Sequence, residues 1–129
     1  MPRFAAVGFS VLALWFGSAV HAQTQLDMNR DADRTLRDTE VKLNAAITTY
    51  RKRLEASQRA AFDESQRRWV AYRKAACEFQ AGGVAGGSAY PMVLAACLTD
   101  YANERLVIIT ELMNCVEGDL SCPAFKRGS

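Results

Sequence analysis

Ser65-Gln66-Arg67-Arg68-Trp69-Val70-Ala71-Tyr72-Arg73-Lys74-Ala75-Ala76-Cys77 is the stretch that decides the fold of this chain. A helix turning 100° per residue gathers Phe62, Gln66, Trp69, Arg73, Ala76 and Cys77 into one arc. It sends Asp63, Glu64, Arg67, Arg68, Lys74 and Glu78 to the opposite side. Glu64 with Arg68, and Lys74 with Glu78, then stand four residues apart, the spacing at which opposite charges support a helix. The inward arc carries an anomaly. Gln66 and Arg73 flank a tryptophan on the face that should be buried, where polar groups must find partners.

Helical periodicity continues on both sides. From about Asp27 to Leu54, the residues Ala32, Leu36, Leu43, Ile47, Tyr50 and Leu54 recur at spacings of three, four and seven, which predicts one amphipathic helix. Glu55-Ala56-Ser57 reads as a break, with Ser57 capping the next helix. That second helix runs to about Gln80, where the run Gly82-Gly83-Val84-Ala85-Gly86-Gly87-Ser88 stops it and serves as a flexible connector. Ser88 can cap a third helix with Pro91 in its first turn, and Tyr90, Leu94, Cys97, Leu98, Tyr101, Ile108, Leu112 and Cys115 trace its apolar stripe. Helices of roughly 35 to 42 Å, with short connections and no strand-like alternation, predict an all-α fold, an antiparallel three-helix bundle.

The four cysteines, Cys77, Cys97, Cys115 and Cys122, allow three pairings among which sequence alone does not choose. The local scheme, Cys77 with Cys97 and Cys115 with Cys122, fits best because it ties the second helix to the third across the glycine run and then closes the tail. No CxxC is present, so structural disulfides are preferred to a metal site or a redox pair.

An oxidising compartment is what the N-terminus implies. Arg3, an apolar run from Phe4 to Val20 and then Val20-His21-Ala22 read as a cleaved signal peptide over residues 1–22. Residues 23–129 would be one domain, periplasmic or secreted and without a membrane span after processing. Of the chain's 16 basic side chains only Arg3 leaves with the signal, against 14 acidic ones, and so even a balance gives no electrostatic case for nucleic acid or an anionic membrane surface. Arg51-Lys52-Arg53 is a short basic run that reads as a solvated helix face.

The single histidine, His21, leaves with the signal as well. Histidine-dependent triads, Cys/His dyads and ordinary catalytic zinc sites are thereby excluded from residues 23–129. There is no GxxxxGK[ST] or GxGxxG loop to cradle phosphate. The sequence thus offers no catalytic residue, metal site or cofactor. The third helix repeats the anomaly of the second, since Arg105 lies within its apolar stripe, and Glu40 borders the matching seam of the first. Glu40, Gln66, Arg73 and Arg105 can form one polar cluster, with guanidinium planes packed on Trp69 or Tyr101. Such a cluster either sets helix register or forms a pocket for a small anion or carboxylate.

Glu40-x2-Leu43-Asn44, Gln66-x2-Trp69-x2-Tyr72-Arg73-x3-Cys77, Gly87-Ser88, Cys97 and Arg105 together resemble the lysozyme inhibitor LprI N-terminal domain family, over about Thr35 to Leu112. The resemblance implies an all-helical exported domain of bacterial envelopes. The chain departs from the family pattern at Ile47, where an aromatic is common, and at Ala102, where threonine is usual. It lacks an early cysteine and adds Cys115 and Cys122. The expectation is a non-enzymatic binding protein that inhibits a cell-wall hydrolase such as lysozyme. The competing expectation is an envelope module that binds another protein or a small anionic ligand without inhibiting anything. Insertion of a basic residue into a hydrolase cleft would need an exposed cation on a rigid loop, and Gly82 to Ser88 carries none.

Overall fold

The computed structural model describes residues 16–116 and 118–123, with side chains from Thr24 onward. Helix α1 spans Phe16–Arg51, α2 spans Ala56–Gln80 and α3 spans Tyr90–Met113, with a short 3-10 helix at Ala81–Val84 between the last two. No strand occurs among the described residues, and no helix there is long and apolar enough to cross a membrane. Most of the expected signal segment, residues 1–15, lies outside the described residues, while Phe16–Ala22 continue α1.

The chain runs up, down and up. Asn29 near the start of α1 donates from Nδ2 to the Ser88 carbonyl just before α3 (2.9 Å), and Arg53 just past α1 donates from Nη1 to the Met113 carbonyl at the end of α3 (2.7 Å). These two bonds make α1 and α3 parallel neighbours, with α2 antiparallel to both. α1 and α3 approach most closely along their length, because α3 meets α1 through Ala95, Thr99, Ala102 and Ile109, three of which are small. This corrects the expected stripe of α3. Ile108 is 43% exposed whereas Ile109 is fully buried, since the α1-facing row follows small side chains that carry little apolar signal. Leu98, Tyr101, Arg105 and Leu112 lie on the neighbouring face, toward α2.

Leu43, Tyr50 and Leu54 close on Ala102 and Ile109 to form the core, and Ile47, Phe62, Trp69, Leu106 and Met113 pack around them. Tyr50 and Phe62 meet edge to face with ring centroids 5.1 Å apart, an arrangement that aromatic quadrupoles favour. Ile47 and Ala102 are therefore core positions. α2 contributes long side chains to the interior, so it stands further from its partners and leaves grooves on both flanks.

Both expected caps shift by a few residues. α2 is capped from Glu55, not Ser57: Gln58 Oε1 accepts from the Glu55 N–H at 3.2 Å, the reach-back half of a capping box, and Ser57 lies inside the first turn. α3 starts after Ala89 with no side-chain cap, Pro91 occupies its first turn as the sequence suggests, and Ser88 contributes its carbonyl to Asn29 rather than its hydroxyl to α3. The glycine run is an ordered turn and not a slack tether. Gly86 takes φ 77°, and Gly87 donates to the Val84 carbonyl at 3.0 Å. Gly86→Val should cost about 1 to 2 kcal/mol, because left-handed backbone is penalised by a Cβ. Thermal unfolding should show this as a lower Tm, while Gly82→Ala, whose added Cβ meets nothing within 4 Å, should leave Tm nearly unchanged.

The two disulfides are Cys77–Cys97 and Cys115–Cys122, with Cα–Cα distances of 5.6 and 5.7 Å. The first ties the last turns of α2 to the first turns of α3, and the second folds the tail back on the end of α3. Their loops of 20 and 7 residues stabilise the fold by about 3.3 and 2.4 kcal/mol in the chain-entropy model.

Candidate functional site

Three groups of side chains stand out once the helices are in place: the charged centre of the bundle, the grooves flanking α2, and the corner between α1 and α2.

Arg73 is the centre. It sits in the middle of α2 on the inward arc and is 7% exposed, so its charge depends on partners within the protein. Its Nη2 donates to Glu40 Oε1 of α1 at 2.9 Å and its Nε to the Leu98 carbonyl of α3 at 3.0 Å. One guanidinium thus joins all three helices. Lysine could not replace it, because only a planar fork offers two donors in fixed divergence.

Arg105 of α3 is the counterpart, but its partners are neutral. Its Nε donates to Gln66 Oε1 at 2.8 Å and its Nη2 to Gln66 Oε1 and, at 3.3 Å, to Ser65 Oγ. No carboxylate pairs with it among the described residues. Burial pushes its pKa below the ordinary arginine value, the sign expected for a cation that loses water without gaining an anion. Trp69 lies between the two arginines, its ring centroid 5.4 Å from the Arg73 guanidinium carbon and 5.6 Å from that of Arg105. Two cations share one aromatic ring, and this explains a half-buried tryptophan beside two inward arginines.

The expected cluster is therefore two units around Trp69: Glu40 with Arg73, and Gln66 with Arg105. Tyr101 is not part of either stack. It meets Tyr72 edge to face with ring centroids 5.9 Å apart, and its hydroxyl accepts from Gln80 Nε2 at 3.4 Å. The reason is position along α3: Tyr101 is one turn toward the glycine end of the bundle, level with Tyr72 and Gln80. The two arginines border different grooves, Arg73 the one between α1 and α2 and Arg105 the one between α2 and α3.

Glu40, Leu43, Asn44, Gln66, Trp69 and Arg73 border an open groove of about 490 Å³ between α1 and α2. A second groove, of about 340 Å³, runs between α2 and α3 past Arg105. Both are consequences of the spacing that Trp69, Arg73 and Phe62 impose on α2.

The third group overturns the reading of Arg51-Lys52-Arg53 as a helix face. α1 ends at Arg51, so Lys52 and Arg53 form a tight turn at the end of the bundle. Its backbone is closed by i to i+3 bonds from the Arg53 N–H to the Tyr50 carbonyl (2.9 Å) and from the Leu54 N–H to the Arg51 carbonyl (3.3 Å). The neighbouring arginines are all held. Arg51 grips Asp63 of α2 with two bonds of 2.7 Å, Arg53 binds the Met113 carbonyl, and Arg59 Nη2 donates to the Leu54 carbonyl at 2.8 Å. The Arg51 bond holds the Asp63 carboxyl below its ordinary pKa. Asp63 thus belongs to an inter-helix pair, not to the solvated face on which its sequence position placed it. Lys52 differs from its neighbours in being exposed with no side-chain partner among the described residues. It shares a recess of about 280 Å³ with Thr48, Arg51 and Arg59. That signal was present in the sequence as a basic run beside a helix break, but locating the break three residues too late hid the turn.

The described residues form a disulfide-stapled three-helix bundle with a charged centre, shallow grooves and a cationic corner. The family model for lysozyme inhibitor LprI matches residues 17–107, and the chain belongs to that family. It is also similar to the uncharacterized protein R02472 of Rhizobium meliloti (strain 1021), with 30% identity over 109 residues that cover 74% of this chain and 78% of that protein. No solved structure matches it.

Proposed function

We propose that this protein is an exported, non-enzymatic inhibitor of a lysozyme-type cell-wall hydrolase, and that it acts by setting the α1–α2 corner into the hydrolase cleft. The observation that carries the reading is Lys52: an exposed, unpartnered cation on a turn immobilised by Arg51, Arg53 and Arg59. Glycoside hydrolases of this kind work with two carboxylates flanking the scissile bond. A lysine brought between them on a rigid support meets complementary charge and loses little conformational freedom on binding. Family membership supports the choice of target.

Export is supported by the Arg3 head, the apolar run and Val20-His21-Ala22 over residues 1–22, and by two disulfides in what remains. Residues 23–129 would then be the working domain, periplasmic or secreted. A partner in the envelope other than lysozyme is the second reading, and the same assay separates the two.

Purified protein in excess should slow clearance of a cell-wall suspension by lysozyme. Lys52→Glu should weaken that inhibition by at least about tenfold, since it sets like charge against the cleft carboxylates, and it should leave Tm unchanged because Lys52 makes no bond that folding needs. Wild-type protein that fails to slow clearance at large excess removes the inhibitor reading. Inhibition that survives Lys52→Glu removes the corner as its contact surface.

A further inference from the structure

The two inward arginines are chemically alike and differently treated. Arg73 is buried and paired with Glu40. Arg105 is half-buried, has only the neutral oxygens of Gln66 and Ser65 as partners, and has no bond from Nη1 among the described residues. The Arg105 side chain lines the groove of about 340 Å³ between α2 and α3. That size falls within the roughly 300–1,000 Å³ of small-molecule clefts. Tyr50, Leu54, Phe62 and Leu112 supply apolar wall, Pro123 stands at the rim, and no acidic side chain lines the groove.

We propose that this groove binds a small amphipathic monocarboxylate, with the carboxylate on Arg105 and the apolar body along Tyr50, Leu54, Phe62 and Leu112. One fixed cation calls for one anionic group. The unpartnered Nη1 can donate a charge-assisted bond to a carboxylate oxygen. An inorganic oxyanion would leave the apolar wall facing water, and a neutral hydrocarbon would leave the cation unmatched. The ligand must satisfy both. Gln66 supports the geometry by fixing the Nε and Nη2 edge, which leaves Nη1 without a partner among the described residues. The site is independent of the Lys52 corner, which lies on a different recess, so it stands or falls apart from the inhibitor reading.

The test uses the full-length chain carrying Trp15→Phe, which leaves Trp69 as the sole tryptophan. Its ring touches Arg105 and reports on it. Titration with decanoate, followed by Trp69 fluorescence and by calorimetry, should saturate. Acetate should not saturate, and decanol should bind at least about tenfold more weakly, the loss expected when a charge-assisted pair is removed. Arg105→Gln should lose decanoate by a similar factor. If that variant unfolds, Ala61→Phe keeps the test alive, because it fills the groove from its exposed α2 wall and leaves Trp69 the sole tryptophan, and it too should abolish saturation. Decanol binding as tightly as decanoate, decanoate binding unaffected by either substitution, or an apolar peptide with a free C-terminus binding more tightly than decanoate would each overturn the proposal.

Discussion

Replacing Arg73 with alanine should destabilise the fold by about 3 kcal/mol, the scale of breaking a buried, hydrogen-bonded charge pair. For a domain of this size that corresponds to a fall in Tm on the order of 15 °C. Three losses add up. The Leu98 carbonyl of α3 loses its donor, Glu40 of α1 loses its counter-charge, and Trp69 loses the guanidinium packed on one side of its ring. Glu40 retains 40% side-chain exposure and can recover water, which keeps the cost below that of stranding a fully buried carboxylate. Glu40→Gln should therefore cost clearly less than Arg73→Ala. Arg73→Lys should fall between them, since an ammonium cannot serve Glu40 and Leu98 along the two directions a guanidinium does. Thermal and chemical denaturation of the three variants checks this order. An Arg73→Ala protein with unchanged Tm would mean that the residue is kept for binding and not for folding.

The second large effect is expected at the first disulfide. Cys77→Ala with Cys97→Ala should cost about 3.3 kcal/mol, the entropy of a 20-residue loop released in the unfolded chain. Cys115→Ala with Cys122→Ala should cost no more than about 2.4 kcal/mol, because its loop spans only 7 residues. Packing widens the gap: Cys77 is fully buried, whereas the second bridge closes an exposed tail. Equilibrium unfolding in urea gives both numbers. A larger loss from the tail bridge than from the α2–α3 bridge would contradict the view that Cys77–Cys97 is what sets α3 against α2. The same reasoning places the Arg105 groove downstream of the disulfide, since its two walls are the helices that the bridge joins.

These residues also mark how far the chain could be read before it was folded. The helices and their order were legible, because each is written at short range, as apolar spacing for the helices and a glycine run for the turn; the local disulfide scheme was preferred among three pairings and the structure selects it. The inward placement of Gln66, Trp69, Arg73 and Arg105 was legible for the same reason, as helical periodicity assigns a face without reference to any partner. The partnerships were not. Whether Glu40 pairs with Arg73 or Arg105 depends on the relative height of helices separated by 33 to 65 positions of sequence, and periodicity carries no information about height.

The remaining differences have the same origin. The α1-facing row of α3, through Ala95, Thr99, Ala102 and Ile109, was hidden because close approach selects small side chains, which leave little hydrophobic signal. Asp63 looked solvated until α1 was seen to bring Arg51 beside it. Lys52 looked like one cation among three until tertiary contacts took Arg51 and Arg53 and left it free. The sequence by itself determined a three-helix bundle of this family and the face each helix turns inward, since those follow from local periodicity, and it favoured the local bridges without choosing them. Only the tertiary structure decided which inward arginine gains a carboxylate, which has only neutral partners, and how Arg51 and Arg53 are held while Lys52 is not, since each is a question of which groups from different helices come within hydrogen-bonding distance.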